Sequence, residues 1–226
     1  QTCALPISCA SGRGDLVLAR THTAMRIACV ITIPASLGLA VLAVPISRLL
    51  YATPAAGPSI CVLGLSVFLI GLQQVTGGLL QGLGHTAIPL YNMAAAAVVK
   101  ITLSWYLTAL PWLAEVGAAW ATNADLAIAA ALNLYFARRY CQYTVQWLYI
   151  GKLFLAAAAM AGTAWFVHKG LSAVTPDALA TVAAMGVAAL IYLICLFAFR
   201  AVDADDVAKV PVVGHRMYQW VKRLEK

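Results

Sequence analysis

This chain of 226 residues is 63% hydrophobic and only 10% charged. Too few polar groups remain to coat a water-soluble domain of that size, so lipid must solvate most of its outside. A net charge of +7 would suit nucleic acid, but the cations sort by membrane side, which excludes that partner in favour of membrane lipids.

Six apolar stretches fill the sequence, at roughly 27–47, 58–82, 88–109, 116–137, 148–168 and 178–199. Each holds about 20 residues, enough to cross a hydrocarbon core of about 30 Å as a helix. They are too long and too rich in Ala, Leu and Gly for barrel strands of about 10 residues. The predicted fold is an all-α integral membrane protein of six transmembrane helices in antiparallel hairpins.

In chain order, Gln1 to Leu5 fit no recognisable element, and the chain opens without Met. A fragment with non-native sequence at its front is expected, without a cleavable signal peptide. Residues 13–26 carry Asp15, Arg20, His22 and Arg26 and read as a helical approach along the cytoplasmic surface. Arg13-Gly14-Asp15 matches an adhesion tripeptide by chance, and Gly14-Asp15 suits a turn and helix N-cap. Residues 1–26 thus form an N-terminal fragment with a cytoplasmic-side helix. The first span contains Pro34 and ends at Pro45. It is expected to kink, and the carbonyl freed by proline must find another partner.

The second span repeats Gly64, Gly71 and Gly78 every seven residues, with Gly82 four residues on. Such a bare face admits a close neighbour. Gln73, Gln74, Thr76 and Gln81 lie on the same helix, and Gln74, Gly78 and Gln81 share a side at i, i+4, i+7. These amides either line a hydrated cavity or bond between packed helices. Gly84 reads as a helix stop and Pro89 as the first turn of the third span. The third and fourth spans turn through Pro111, Trp112 and Glu115, with Trp112 in the interfacial belt. Residues 27–137 then make a four-helix unit. Residues 138–200 add two Ala-rich spans, joined by a turn around Lys169 to Asp177 and expected to be scaffold. Residues 201–226 form a basic amphipathic tail on the inner leaflet, with Met217, Trp220, Val221 and Leu224 on one side.

With both ends cytoplasmic, that side collects Arg13, Arg20, Arg26, Arg138, Arg139, Lys152, Arg200, Lys209, Arg216, Lys222, Arg223 and Lys226. Only Arg48 and Lys169 fall outside, so the positive-inside rule predicts this orientation in a bacterial cytoplasmic membrane. Lys100 and Asp125 remain inside the bilayer, each about a dozen residues from its cytoplasmic helix end, roughly 16 to 18 Å deep. A charge there costs about 2.5 to 3.5 kcal/mol on insertion scales. The two are expected to pair or to share a hydrated cavity, extended by Asn92, Ser104 and Asn123; alternatively Lys100 snorkels and Asp125 stays protonated. The cysteines Cys3, Cys9, Cys29, Cys61, Cys141 and Cys195 show no C-x-x-C spacing and read as small packing residues. No nucleophile, metal or phosphate-loop pattern appears, so neither enzyme activity nor a cofactor is expected.

The order of Pro6-Ile7-Ser8, Gly14-Asp15, Leu37-Gly38-Leu39, Pro45-Ile46 and Leu49-Leu50-Tyr51 resembles the C-terminal half of a flippase of the multidrug, oligosaccharidyl-lipid and polysaccharide exporter superfamily, near its stage V sporulation protein B and lipid II flippase branch. Leu72-Gln73-Gln74, the run Gly78 to Gly84, Ile88-Pro89, Val99-Lys100, Gly117-Ala118-Ala119 and Leu132-Asn133-Leu134 continue it. The likeness runs from about residue 6 to the end. It departs where the opening motif is shortened before Pro6 and where Asp125 replaces an expected small or hydroxyl residue. The resemblance implies the last six of fourteen spans, with the N-terminal lobe of the same protein as missing partner. It implies export of an undecaprenyl-linked sugar precursor by alternating access. Lys100 would meet phosphate, Gln73, Gln74, Gln81 and Asn92 would bond sugar, and Pro34, Gly71 and Gly78 would bend. The last two spans would form a groove for the lipid tail. Alternatives are multidrug or cation efflux through the same fold, or a non-transporting scaffold for envelope synthesis.

Overall fold

The computed structural model describes residues 13–141 and 147–198. They form seven helices: α1 (Arg13–Val41), α2 (Ala43–Tyr51), α3 (Gly57–Gly82), α4 (Ala87–Thr108), α5 (Ala114–Cys141), α6 (Trp147–Leu171) and α7 (Asp177–Ala198). The chain is thus all-helical among the described residues, and α1, α3, α4, α6 and α7 are long and apolar enough to cross a membrane. Although α5, the expected fourth span, has 28 residues, Asn123, Asp125 and Asn133 dilute its apolar character. The basic tail lies outside the described residues.

Two boundaries differ from expectation. The approach segment and the first span are one helix, α1, because no proline or glycine interrupts residues 15–33. The helix also continues through Pro34 and breaks instead at Leu42, whose φ of −94° and ψ of 15° leave the helical region. Pro45 then lies in the first turn of α2 and explains the break: it has no N–H for the carbonyl of Val41. At the end of α3 the expected stop is present. Gly84 adopts φ +86°, and its N–H and that of His85 close back onto Gln81 and Leu80 at 2.9 Å each.

The helices neighbour one another in the order α4, α5, α3, α1, α6, α7, while α2 bridges α3 and α7. Gly64 sets the α3–α1 approach, since a Cβ there would stand 3.0 Å from the Ala40 nitrogen and the Ser36 carbonyl oxygen. At Gly71 it would meet the Thr32 methyl group at 2.7 Å. Gly78, the third member of the expected stripe, faces nothing within 4 Å. The stripe instead extends the other way, to Gly57 against Val44.

The main apolar core joins α1 to α6 and α7. Cys29 and Ile33 meet Leu153, Ala156, Ala157, Met160 and Ala164, with Tyr192 closing the cluster. Alanines on α6 let the helices approach closely, and dispersion between well-fitted surfaces is what holds helices together where lipid removes the hydrophobic driving force. The last two helices therefore contribute much of this buried cluster.

Candidate functional site

Because α5 lies between α3 and α4, its polar residues must be satisfied by those two neighbours. They are, at three levels. Asn123 donates from Nδ2 to the Val62 carbonyl at 2.7 Å and accepts at Oδ1 from the Ser66 hydroxyl at 2.5 Å, binding α5 to α3. Asn133 accepts at Oδ1 from Asn92 Nδ2 at 2.8 Å, binding α5 to α4. Between these levels Lys100 of α4 and Asp125 of α5 stand with Nζ and Oδ2 3.6 Å apart. The expected pair is thus present, although 3.6 Å is an ionic contact and too long for a direct hydrogen bond. At the far end a Cβ on Gly117 would lie 2.7 Å from the Leu107 carbonyl, so the α4–α5 seam closes on backbone there.

The pair differs from the amides in accessibility. Asn92, Asn123 and Asn133 are buried, whereas the Lys100 and Asp125 side chains remain 42% and 21% exposed. An open apolar groove of about 550 Å³ runs between α3, α5 and α4, lined by Leu65, Leu69, Leu103, Leu107 and Trp120. Lys100 is one helical turn before Leu103, and Asp125 follows the groove residue Ala124. Ala127, on the Arg138 side of Asp125, lines the groove as well, so the pair borders the groove. An ammonium here can meet an anion arriving along the groove, with Asp125 as its resident counter-ion.

The other expected site residues divide. Asn92 has its amide engaged in the α4–α5 seam, whereas Asn123 lines the open groove while its amide bonds across the α3–α5 seam. Gln74, Gly78 and Gln81 are exposed together on α3, and Gln73 is half-buried. No hydrogen bond joins the three glutamines to the Lys100–Asp125 pair among the described residues. Ser104 is half-buried one turn beyond Lys100. Pro34 and Gly71 lie on the α1 side, with Pro34 lining a second apolar groove of about 510 Å³ between α1, α6 and α7.

Sequence reasoning passed over Ser66, gave Asn133 no bonding role and left Tyr192 unread. The depth count that aligned Lys100 with Asp125 would also have aligned Asn92 with Asn133, since both lie near the α3–α4 turn end. His85 of that turn stacks on Tyr140 of α5 at 4.3 Å, and Arg26 lies over the Tyr149 ring at 5.1 Å. These contacts gather Arg26, Arg138, Arg139 and Lys152 at one end of the bundle. At the other end Arg48 pairs with Asp177 at 3.1 Å, and Lys169 sits over the Trp165 ring at 4.9 Å.

The chain is similar to an uncharacterized membrane protein, YabM, of Bacillus subtilis (strain 168), at 25% identity over 218 residues. The match takes in 90% of this chain and 39% of the relative's length, so the chain spans less than half of that protein. No family model matches the chain, and no solved structure does.

Proposed function

We propose that this chain is one wall of a membrane exporter that carries an anionic, lipid-linked sugar precursor, such as an undecaprenyl-linked unit, from the inner to the outer leaflet. The observation that carries the reading is the half-open Lys100–Asp125 pair bordering an apolar groove. A charged pair placed among apolar helices normally marks a substrate or ion path. Asp125 holds the ammonium in place until the phosphate of the substrate takes over as counter-ion. The exposed amides Gln74 and Gln81 supply hydrogen bonds to sugar, and the groove between α1, α6 and α7 takes the prenyl tail. In this reading α5 is a sixth span whose polar groups are satisfied by α3 and α4. The end carrying Arg26, Arg138, Arg139 and Lys152 faces the cytoplasm. The resemblance to the polysaccharide and lipid II exporters and the length of the Bacillus relative support a second lobe outside this sequence, moving against this one by alternating access.

Binding to the full-length protein in nanodiscs tests the reading. Undecaprenyl pyrophosphate should bind, and Lys100→Ala should weaken it at least about tenfold, the loss of one charge-assisted contact. Stronger binding of a lipophilic cation, lost in Asp125→Asn and retained in Lys100→Ala, would replace this reading with cation efflux. Binding of neither class would leave a membrane scaffold for envelope enzymes.

A further inference from the structure

One carbonyl of α1 has lost its helical donor. In an α-helix the N–H of each residue bonds the carbonyl four residues earlier, and Pro34 has no N–H to offer Val30. The missing bond is supplied from α7: the Tyr192 hydroxyl donates to the Val30 carbonyl at 2.8 Å. Tyr192 is buried in the core beside Cys29 and Met160, and it lines the same apolar groove as Pro34. A phenol hydroxyl there needs an acceptor and a bare carbonyl there needs a donor. Each meets the other's requirement across 162 residues of chain.

A second contact lies on the far side of the helix break at Leu42. Arg48 of α2 pairs with Asp177, the first residue of α7, at 3.1 Å. One helix, α7, thus grips the chain both before and after the break. Leu42 itself keeps helical bonds to Gly38 and from Ile46, at 3.0 and 2.8 Å, so the break is a bend between two ordered helices and not a loose linker.

We propose that α7 is a brace that fixes the bend between α1 and α2, with Tyr192 as the positioning residue that stands in for the donor Pro34 removes. The brace is independent of what the protein carries. Opening it strands the Val30 carbonyl in apolar surroundings, so the bend has one favoured setting while Tyr192 is bonded. Loss of that bond frees α1 to change its angle to α2.

Spin labels at Ala24 and Leu50, both exposed and on either side of the bend, read that angle as a distance in the full-length protein in nanodiscs, with the native cysteines replaced by alanine. Tyr192→Phe keeps the ring and removes only the hydroxyl. It is expected to add a second distance population, shifting the ratio of the two settings by about fivefold, the effect of one lost hydrogen bond. Pro34→Ala restores an N–H at position 34, and in that background Tyr192→Phe should leave the distribution unchanged. An unchanged distribution in the Pro34 protein overturns the proposal. So does an equal change in both backgrounds, because the hydroxyl would then act as ordinary core filling.

Discussion

The two halves of α3 use the same residue for different purposes. Toward its start, Gly57, Gly64 and Gly71 let α2 and α1 approach until an added Cβ would strike a neighbour. Toward its end, Gly78 lies open beside the exposed Gln74 and Gln81. The seven-residue recurrence is uniform, but the packing is not: Gly78 faces no neighbour, while Leu79 beside it joins the core with Met25 and Cys29 of α1. A small-residue stripe is thus a necessary sign of close approach, and the neighbour decides where it is used.

The contrast breaks most directly at Gly64. Gly64→Ala presses on the backbone of α1, which cannot rotate away, and should lower stability by about 2 kcal/mol in unfolding from detergent micelles. If it is silent, the seam is looser than the 3.0 Å approach implies. Next comes the other side of α3, where Asn123→Ala leaves the Ser66 hydroxyl and the Val62 carbonyl without their partner. The expected loss is about 1 kcal/mol, in line with interhelical bonds in membranes. A double-mutant cycle of Lys100→Ala and Asp125→Ala should give a coupling near 0.7 kcal/mol, discounted for the partial exposure of both groups. Strictly additive losses would show that the two charges stand together without interacting. Gly78→Ala should change sign and stabilise α3 by about 0.5 kcal/mol, because a mid-helix alanine meets no obstruction there. The smallest effect belongs to Arg48→Ala, which removes an exposed pair and should matter by about 0.3 kcal/mol, vanishing in high salt.

Much of this was legible in the sequence because it depends on length, depth and period. Apolar runs located the spanning helices, proline and glycine located most breaks, and counting residues from the helix ends brought Lys100 level with Asp125. What escaped depends on the identity of a distant neighbour. An asparagine that lines a cavity and one that bonds across a seam look alike in a sequence: the Asn92 amide serves a seam, and Asn123 both bonds across one and lines the groove. The break at Leu42 was misplaced to Pro45 because proline acts on the carbonyl four residues before it. The need for a donor at Val30 was foreseeable from Pro34, but nothing local names Tyr192 as that donor.

The polar ladder on α5 has a consequence for how the chain is made. On the proposed reading of α5 as a sixth span, entry into a bilayer alone would make Asn123, Asp125 and Asn133 each shed water without compensation. Their partners, Ser66 with the Val62 carbonyl, Lys100 and Asn92, all lie earlier in the chain. Since synthesis runs from the N-terminus, α3 and α4 have left the ribosome before α5 follows, and the least apolar helix arrives to find every complementary group already waiting.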